Sequence, residues 1–343
     1  MQQFLSPRTL CLRVAVTAVM LVAVMLLCAL VGPERISLRT ALAGINGSAL
    51  PNPDYEILVH IRVPRVVLAA IVGAALAAAG VALQALLRNP LADPYILGIS
   101  SGAGLGATLA IVGGFSWTLW GRSPVAVFAF AGALGTVWLV WVIGRITGKF
   151  HVTGLLLAGV VVNAFFSAVI MFLISMARGQ QLHATMFWLM GNMAEEDFFV
   201  LWIGAGCVMA GVVSLYFLAP QLNAISFNPV DARSMGIHVE RVQLLVFIVS
   251  AFVTAIAVSL SGLVGFVGLV VPHAVRLMLG PDHRQLLPIA SICGAMFLVV
   301  ADTAARVIVA PAQLPVGVVT AIVGGPFFLV LLVRYNRKVS WLR

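Results

Sequence analysis

The side chains able to do chemistry are few in this chain and lie far apart. Six histidines, His60, His151, His183, His238, His273 and His283, show no HExxH or other metal-ligand spacing. A chain that hydrolyses nucleotides needs a GxxxxGK[ST] loop. The nearest piece, Gly144 to Lys149, is one residue too short and is followed by Phe150 where a magnesium-binding hydroxyl belongs. Gly102, Gly104 and Gly106 follow no strand and miss the spacing of a dinucleotide fingerprint. No nucleophile stands beside a base at membrane depth, and no carboxylate pair sits there as a proton relay requires. Asp302 is the one acid within an apolar stretch, and Arg306, four residues on, falls on the same helical face as its ion-pair partner. The reading is a chain with no catalytic residues, no metal site and no cofactor of its own.

Polar groups mark ends and interruptions instead. Gln84, Asn89 and Pro90, followed by Pro94, interrupt one apolar stretch, and Pro272, Pro281 and Pro288 interrupt others. Backbone breaks at membrane depth are tolerated where freed groups face protein or a watery path, although tight surface turns give the same pattern. Arg62 and Arg65 flank Pro64 just before a long apolar run, and Arg306 closes another. Together they suit an acidic partner; singly they suit lipid headgroups. Between Asn228 and Gly236 the order Asn, Pro and finally Gly describes a capped helix of about two turns, a handle for a partner or a tidy loop end.

The elements that must position these residues are membrane helices. The 343 residues are 62% hydrophobic and 9% charged, far from the balance of a soluble domain. The net charge of +9 sits at the ends of apolar runs, where topology and anionic lipid account for it; no basic patch for nucleic acid occurs. Cys11, Cys28, Cys207 and Cys293 lie in or beside apolar stretches and read as packing residues. Dividing the charge-free stretches by the roughly 20 residues of a crossing predicts ten helices. They run near 14–33, 66–87, 94–113, 123–144, 152–175, 198–218, 242–261, 264–279, 286–305 and 314–333. Gly262, Gly265, Gly268 and Pro272 supply the break between the seventh and eighth. The first stretch is longer than a signal-peptide core and reads as a retained helix. Small residues such as Gly73, Ala77 and Gly80 predict close helix packing. With both termini cytoplasmic, only Arg35, Arg39, Arg62, Arg65, Arg122, Arg178 and Arg306 of the twenty Lys and Arg fall outside, which favours that orientation. The chain is then a single transmembrane domain, 1–343, with an outer loop at 34–65 and a cytoplasmic loop at 220–241.

Three long stretches closely resemble the FecCD-type ABC importer permeases, whose members carry iron-siderophores, haem and cobalamin. They read HIRVPRVVLAAIVGAALAAAGVALQALLRNPLADPYILGISSGAGLGA from His60, then GLVGFVGLVVPHAVRLMLGPDHRQLLP, then ADTAARVIVAPAQLPVGVVTAIVGGPFFLVLLVR. The resemblance implies an all-α polytopic homodimer of the type II, cobalamin-permease-like class, with about ten helices per subunit. Its implied partners are a second copy, two cytoplasmic ATPase subunits that hold ATP and magnesium, and a periplasmic or lipid-anchored substrate-binding protein. It places the chain in a bacterial inner membrane. By position in the family's motifs, Arg62, Arg65 and Arg306 are the binding-protein dock. Asn228, Pro229, Asp231, Ala232, Arg233, Met235 and Gly236 fall on the ATPase coupling element. His151, Val152 and Thr153, ahead of the LLLAG at 155–159, fall on the cytoplasmic gate, where the cobalamin permease has small hydroxyl residues. Gln84, Asn89 and Pro90 are expected along the translocation path. The expected cargo is an iron chelate, siderophore or haem, with cobalamin as the alternative and a stand-alone secondary carrier as the distant one.

Overall fold

The structure, a computed structural model, describes residues 6–45, 52–115, 117, 123–146, 152–193 and 198–340. It is all-helical, with no strand among the described residues. Helix α1 (Pro7–Leu30) starts where Ser6 accepts from the Thr9 N–H and Pro7 occupies the first turn. Two short helices, α2 (Leu38–Ile45) and α3 (Pro53–Glu56), lead through a π-helical stretch, Ile57–Arg62, into α4 (Val63–Leu86). A 3₁₀ turn at Pro94–Leu97 precedes α5 (Ile99–Val112). Then come α6 (Pro124–Ile146), α7 (Val152–Met176), α8 (Gly179–Leu189), α9 (Phe198–Phe217), α10 (Ala219–Phe227) and α11 (Pro229–Ser234). The chain closes with α12 (Val239–Ser261), α13 (Val267–Leu279), α14 (His283–Val307) and α15 (Val316–Ser340).

Seven of these helices are long and apolar enough to cross a membrane, and α5, α13 and the Val316–Val330 part of α15 are shorter apolar ones. They occupy the ten stretches the sequence predicts. Not predicted were α8, α10 and the two short helices of the 34–65 loop. Their sequences mix polar and apolar residues over runs too short to register as spans.

Helix α4 is the axis of the bundle, buried nearly all round against α14, α12, α13, α9 and α1. Its alanines and glycines explain why: apolar side chains gain little by leaving lipid for each other, so helices associate where backbones can approach. Gly73 lies directly on the Gly294 backbone of α14, and Gly80 on the Gly268 backbone of α13, so a Cβ at any of these positions meets a carbonyl. The same logic joins α5 to α6, where Gly102 and Gly106 meet the carbonyls of Gly132 and Phe128.

The predicted break between the seventh and eighth stretches is present at 262–266 and holds Gly262 and Gly265, whereas Gly268 and Pro272, also expected to supply it, lie inside α13. Gly262 (φ +66°) ends α12, and Phe266, a non-glycine residue at φ +68°, opens α13. The freed backbone finds protein partners, as lipid requires. The Tyr95 hydroxyl donates to the Val264 carbonyl (3.0 Å) and accepts its N–H (3.1 Å), while Asn192 N–H donates to the Ser261 carbonyl (2.9 Å).

Candidate functional site

The candidate side chains lie at the two ends of α14 and around a cleft walled by residues 93–100, α7, the start of α13 and α15. At one end stands the arginine cluster. Arg62, last residue of the π-helical stretch, is 3% exposed and turned into the bundle. Its Nη1 donates to the Leu30 carbonyl (2.9 Å) and the Ala29 carbonyl (3.4 Å), and Nη2 to that of Glu34. The last carbonyls of a helix have no partner within it, and here Arg62 supplies one to α1. Gly32 makes room, since a Cβ there would meet the guanidinium.

Arg65 and Arg306 share one carboxylate. Arg65 Nε donates to both oxygens of Asp302 at 3.1 Å, Nη2 sits 3.0 Å from Oδ1, and Nη1 donates to Gln313 Oε1 at 2.9 Å. Arg306 Nε donates to Asp302 Oδ2 (3.1 Å) and Nη2 to Thr303 Oγ1 (3.0 Å). The i, i+4 pair expected from sequence is therefore one arm of a three-residue network with Asp302 buried at its centre. Two guanidiniums on one carboxylate leave the cluster positive. Losing that carboxylate would strand buried charge at a cost of several kcal/mol, about 3–5.

At the opposite end, α11 is the short capped helix read from the sequence. Asn228 Oδ1 accepts the Val230 N–H (3.0 Å), its Nδ2 donates to Asp231 (3.0 Å), and Gly236 turns the chain at φ +84°. Ala232 is buried beneath, whereas Val230 and Met235 are 62% and 75% exposed. Arg233 pairs with Glu240 at the surface. Beside α11 lies a polar cavity of about 580 Å³ lined by Asn223, Ser226, Phe227, Asp282, His283 and Gln285, among others. Asp282 caps α14, accepting the Arg284 N–H at 3.0 Å. Burial alone would raise its carboxyl, but hydrogen bonds from Arg284 and Asn223 outweigh that and hold it below the usual carboxylate range.

Against the 262–266 break, a mainly apolar cleft of about 390 Å³ is lined by Asp93, Tyr95, Ser100, Asn163, Phe266 and Phe328 with their neighbours. Gln84 lies behind it, buried, with Nε2 3.3 Å from the carbonyls of Ala92 and Gly268. It ties the 87–93 turn to the start of α13. Asn89 holds that turn by accepting the Leu91 N–H at 2.9 Å, with Pro90 between them. Of the gate residues, His151 lies outside the described residues, and Val152 and Thr153 open α7. Sequence reasoning missed Asp93, Tyr95 and Asn163 on the cleft wall, and Asn223 and His283 beside α11. Asp93 ahead of Pro94 was legible as a cap, and it does accept the Tyr95 N–H (2.8 Å). Among the described residues no three His, Cys, Asp or Glu converge as a metal ion would need.

A bundle of apolar helices whose backbone break at 262–266 is closed by protein partners beside a cleft has the architecture of a membrane permease. The family model described as the FecCD transport family matches residues 20–334, and the chain belongs to that family. It is 40% identical to the hemin transport system permease HmuU of Yersinia pestis, over 83% of this chain and 86% of that one. It is 39% identical to the cobalamin import system permease BtuC of Halobacterium salinarum, over 93% and 95% of the two chains. A solved metal-chelate type ABC transporter in an inward-facing conformation superposes with a TM-score of 0.79 at 30% identity, covering 92% of this chain and 97% of that one. This chain is thus the permease component of an ABC transporter, working with separate ATPase and substrate-binding components.

Proposed function

We propose that the chain is one half of a homodimeric importer of an iron chelate, siderophore or haem, with ten crossings per subunit and both termini in the cytoplasm. The observation that carries this reading is the polarity of the bundle. A positive cluster, Arg62, Arg65 and Arg306, marks one end, and the α11 knob marks the other. The arginine end faces outward and receives acidic side chains of a periplasmic or lipid-anchored binding protein. Arg65, with Nη1 on Gln313 at the rim, is the guanidinium best placed to exchange a partner; Arg62 positions the cluster by fixing α1. Each α11, from Asn228 and Pro229 through Asp231, Ala232 and Arg233 to Met235 and Gly236, seats on one of two cytoplasmic ATPase subunits, which hold the ATP and magnesium. The substrate-binding component supplies affinity, so the path needs no tight site, and this chain binds no cofactor of its own.

Cobalamin is the second reading, favoured by the 39% identity to a cobalamin permease over 93% of the chain. Uptake by a strain lacking this gene separates the two. We expect loss of radio-iron accumulation from siderophore or haem with cobalamin accumulation intact; loss confined to radio-cobalt would make the second reading correct.

A further inference from the structure

One helix reaches both functional ends. The 25 residues of α14 carry Asp302, Thr303 and Arg306 in its last turns, and its first turn is gripped by a side chain of α10. That side chain is Asn223. Its Nδ2 donates to Asp282 Oδ1 at 2.7 Å, and its Oδ1 accepts the His283 N–H at 2.9 Å. The His283 ring lies against the same oxygen, Nδ1 at 2.6 Å, so Nδ1 carries the proton and donates. The Asn223 amide is therefore oriented from three directions at once, against the cap of α14. Only the last turn of α10 and the cap residue Asn228 separate Asn223 from α11.

The rest of α14 is built to move as a unit with α4. Gly294 and Gly73 place the two backbones in contact, leaving no flexible side chain between them to absorb a displacement. The single soft point is Pro288. It offers no N–H to the Arg284 carbonyl, so the ladder does not fix the direction of the first turn, and the Asn223 clamp does so instead.

We propose that α14 links the binding-protein dock to the ATPase-coupling helix across about 36 Å of bundle, and that Asn223 is the positioning residue that engages it. The inference rests on the assignment of the two ends made above. Docking that re-pairs Arg65 and Arg306 shifts the Asp302 end of α14. The clamp passes that shift to α10 and α11, and ATP-driven movement of α11 returns along the same route.

The test uses the full transporter, with its ATPase and binding-protein chains, in lipid nanodiscs. The readout is the ratio of binding-protein-stimulated to basal ATP hydrolysis. Asn223→Asp loses the donor to Asp282 and sets two carboxylates together. Asn223→Asp with Asp282→Asn restores a donor–acceptor pair of the same net charge: the new amide nitrogen takes the place of Oδ1 and donates to the carboxylate at 223, and the amide oxygen, in the place of Oδ2, keeps the bond from Arg284 Nη2 while the cap on the Arg284 N–H is given up. We expect the single variant to lower the ratio about fivefold or more, the range of an ordinary allosteric coupling. We expect the double variant to recover most of it, and both to bind the binding protein and co-purify with the ATPase as the parent does. A parental ratio in the single variant overturns the inference. So does a lost ratio that the double variant fails to recover, or loss of the ATPase from the single variant, which would make Asn223 part of the seat rather than of the link. Failure of the underlying assignment reads differently: Arg65→Glu would leave binding-protein affinity at the parental value, and the link would fall with the dock.

Discussion

At the scale of single residues, Asp302 decides whether the arginine end holds together. It is 1% exposed and accepts hydrogen bonds from Arg65 and Arg306 at 3.0–3.1 Å. Replacing it with alanine leaves the buried Arg306 and the part-buried Arg65 without their counter-charge. We predict that Asp302→Ala destabilises the subunit by about 3–5 kcal/mol, seen as an earlier thermal inactivation midpoint in detergent. A midpoint unchanged from the parent would contradict the network. Arg62 acts differently, since its partners are carbonyls rather than a carboxylate. Arg62→Ala leaves the end of α1 without donors, and we predict a loss of about 1–3 kcal/mol, with proteolysis of the α1–α2 connection as the readout; protection equal to the parent's would remove its capping role.

At the scale of helices, close backbone contact and local capping make different demands. A methyl group at Gly294 meets the Gly73 carbonyl, and neither backbone can retreat without parting α4 from α14. Gly135 in α6 has nothing within 4 Å of the same methyl. We therefore predict that Gly294→Ala costs about 1–3 kcal/mol, whereas Gly135→Ala is neutral or stabilising by up to about 1 kcal/mol. Equal effects at the two sites would mean that small-residue packing does not organise the bundle. Asn228→Ala removes the cap of α11 and should cost about 1 kcal/mol locally. Its consequence is weaker co-purification of the ATPase with unchanged affinity for the binding protein; the reverse pattern would place α11 elsewhere in the mechanism.

What the sequence made legible at this scale follows from the range of each interaction. Spans were readable because a lipid core demands some 20 apolar residues in a row, and the break at 262–266 because Gly262 and Gly265 stand there. The α11 helix was readable from its own cap, and Asp302–Arg306 from i, i+4 spacing. Arg65 joins that pair across 237 residues, and Asn223 reaches His283 across 60, so no local pattern announces either. Arginines beside Pro64 read as exposed because isolated guanidiniums usually are. That Arg62 points inward depends on α1 returning its C-terminal carbonyls to the same spot. The 179–189 and 219–227 helices escaped notice because Gln180, Gln181, His183, Gln221 and Asn223 break any apolar run.

At the scale of the whole molecule, the bundle is arranged around α4, with the arginine cluster at one end of α14 and α11 near the other. Faces of α7 and α15 expose Leu157, Val161, Phe165, Ile322 and Leu329, apolar surface that lipid or protein must cover. A permease of this family works with a separate ATPase and a substrate-binding component, so its transport is expected to depend on both. The most direct measurement is uptake of a radiolabelled iron chelate into proteoliposomes holding the permease with its ATPase, with binding protein added outside. The account predicts accumulation only when ATP within the vesicles, ATPase and binding protein are all present. Accumulation by the permease alone, driven by an imposed ion gradient, would contradict it.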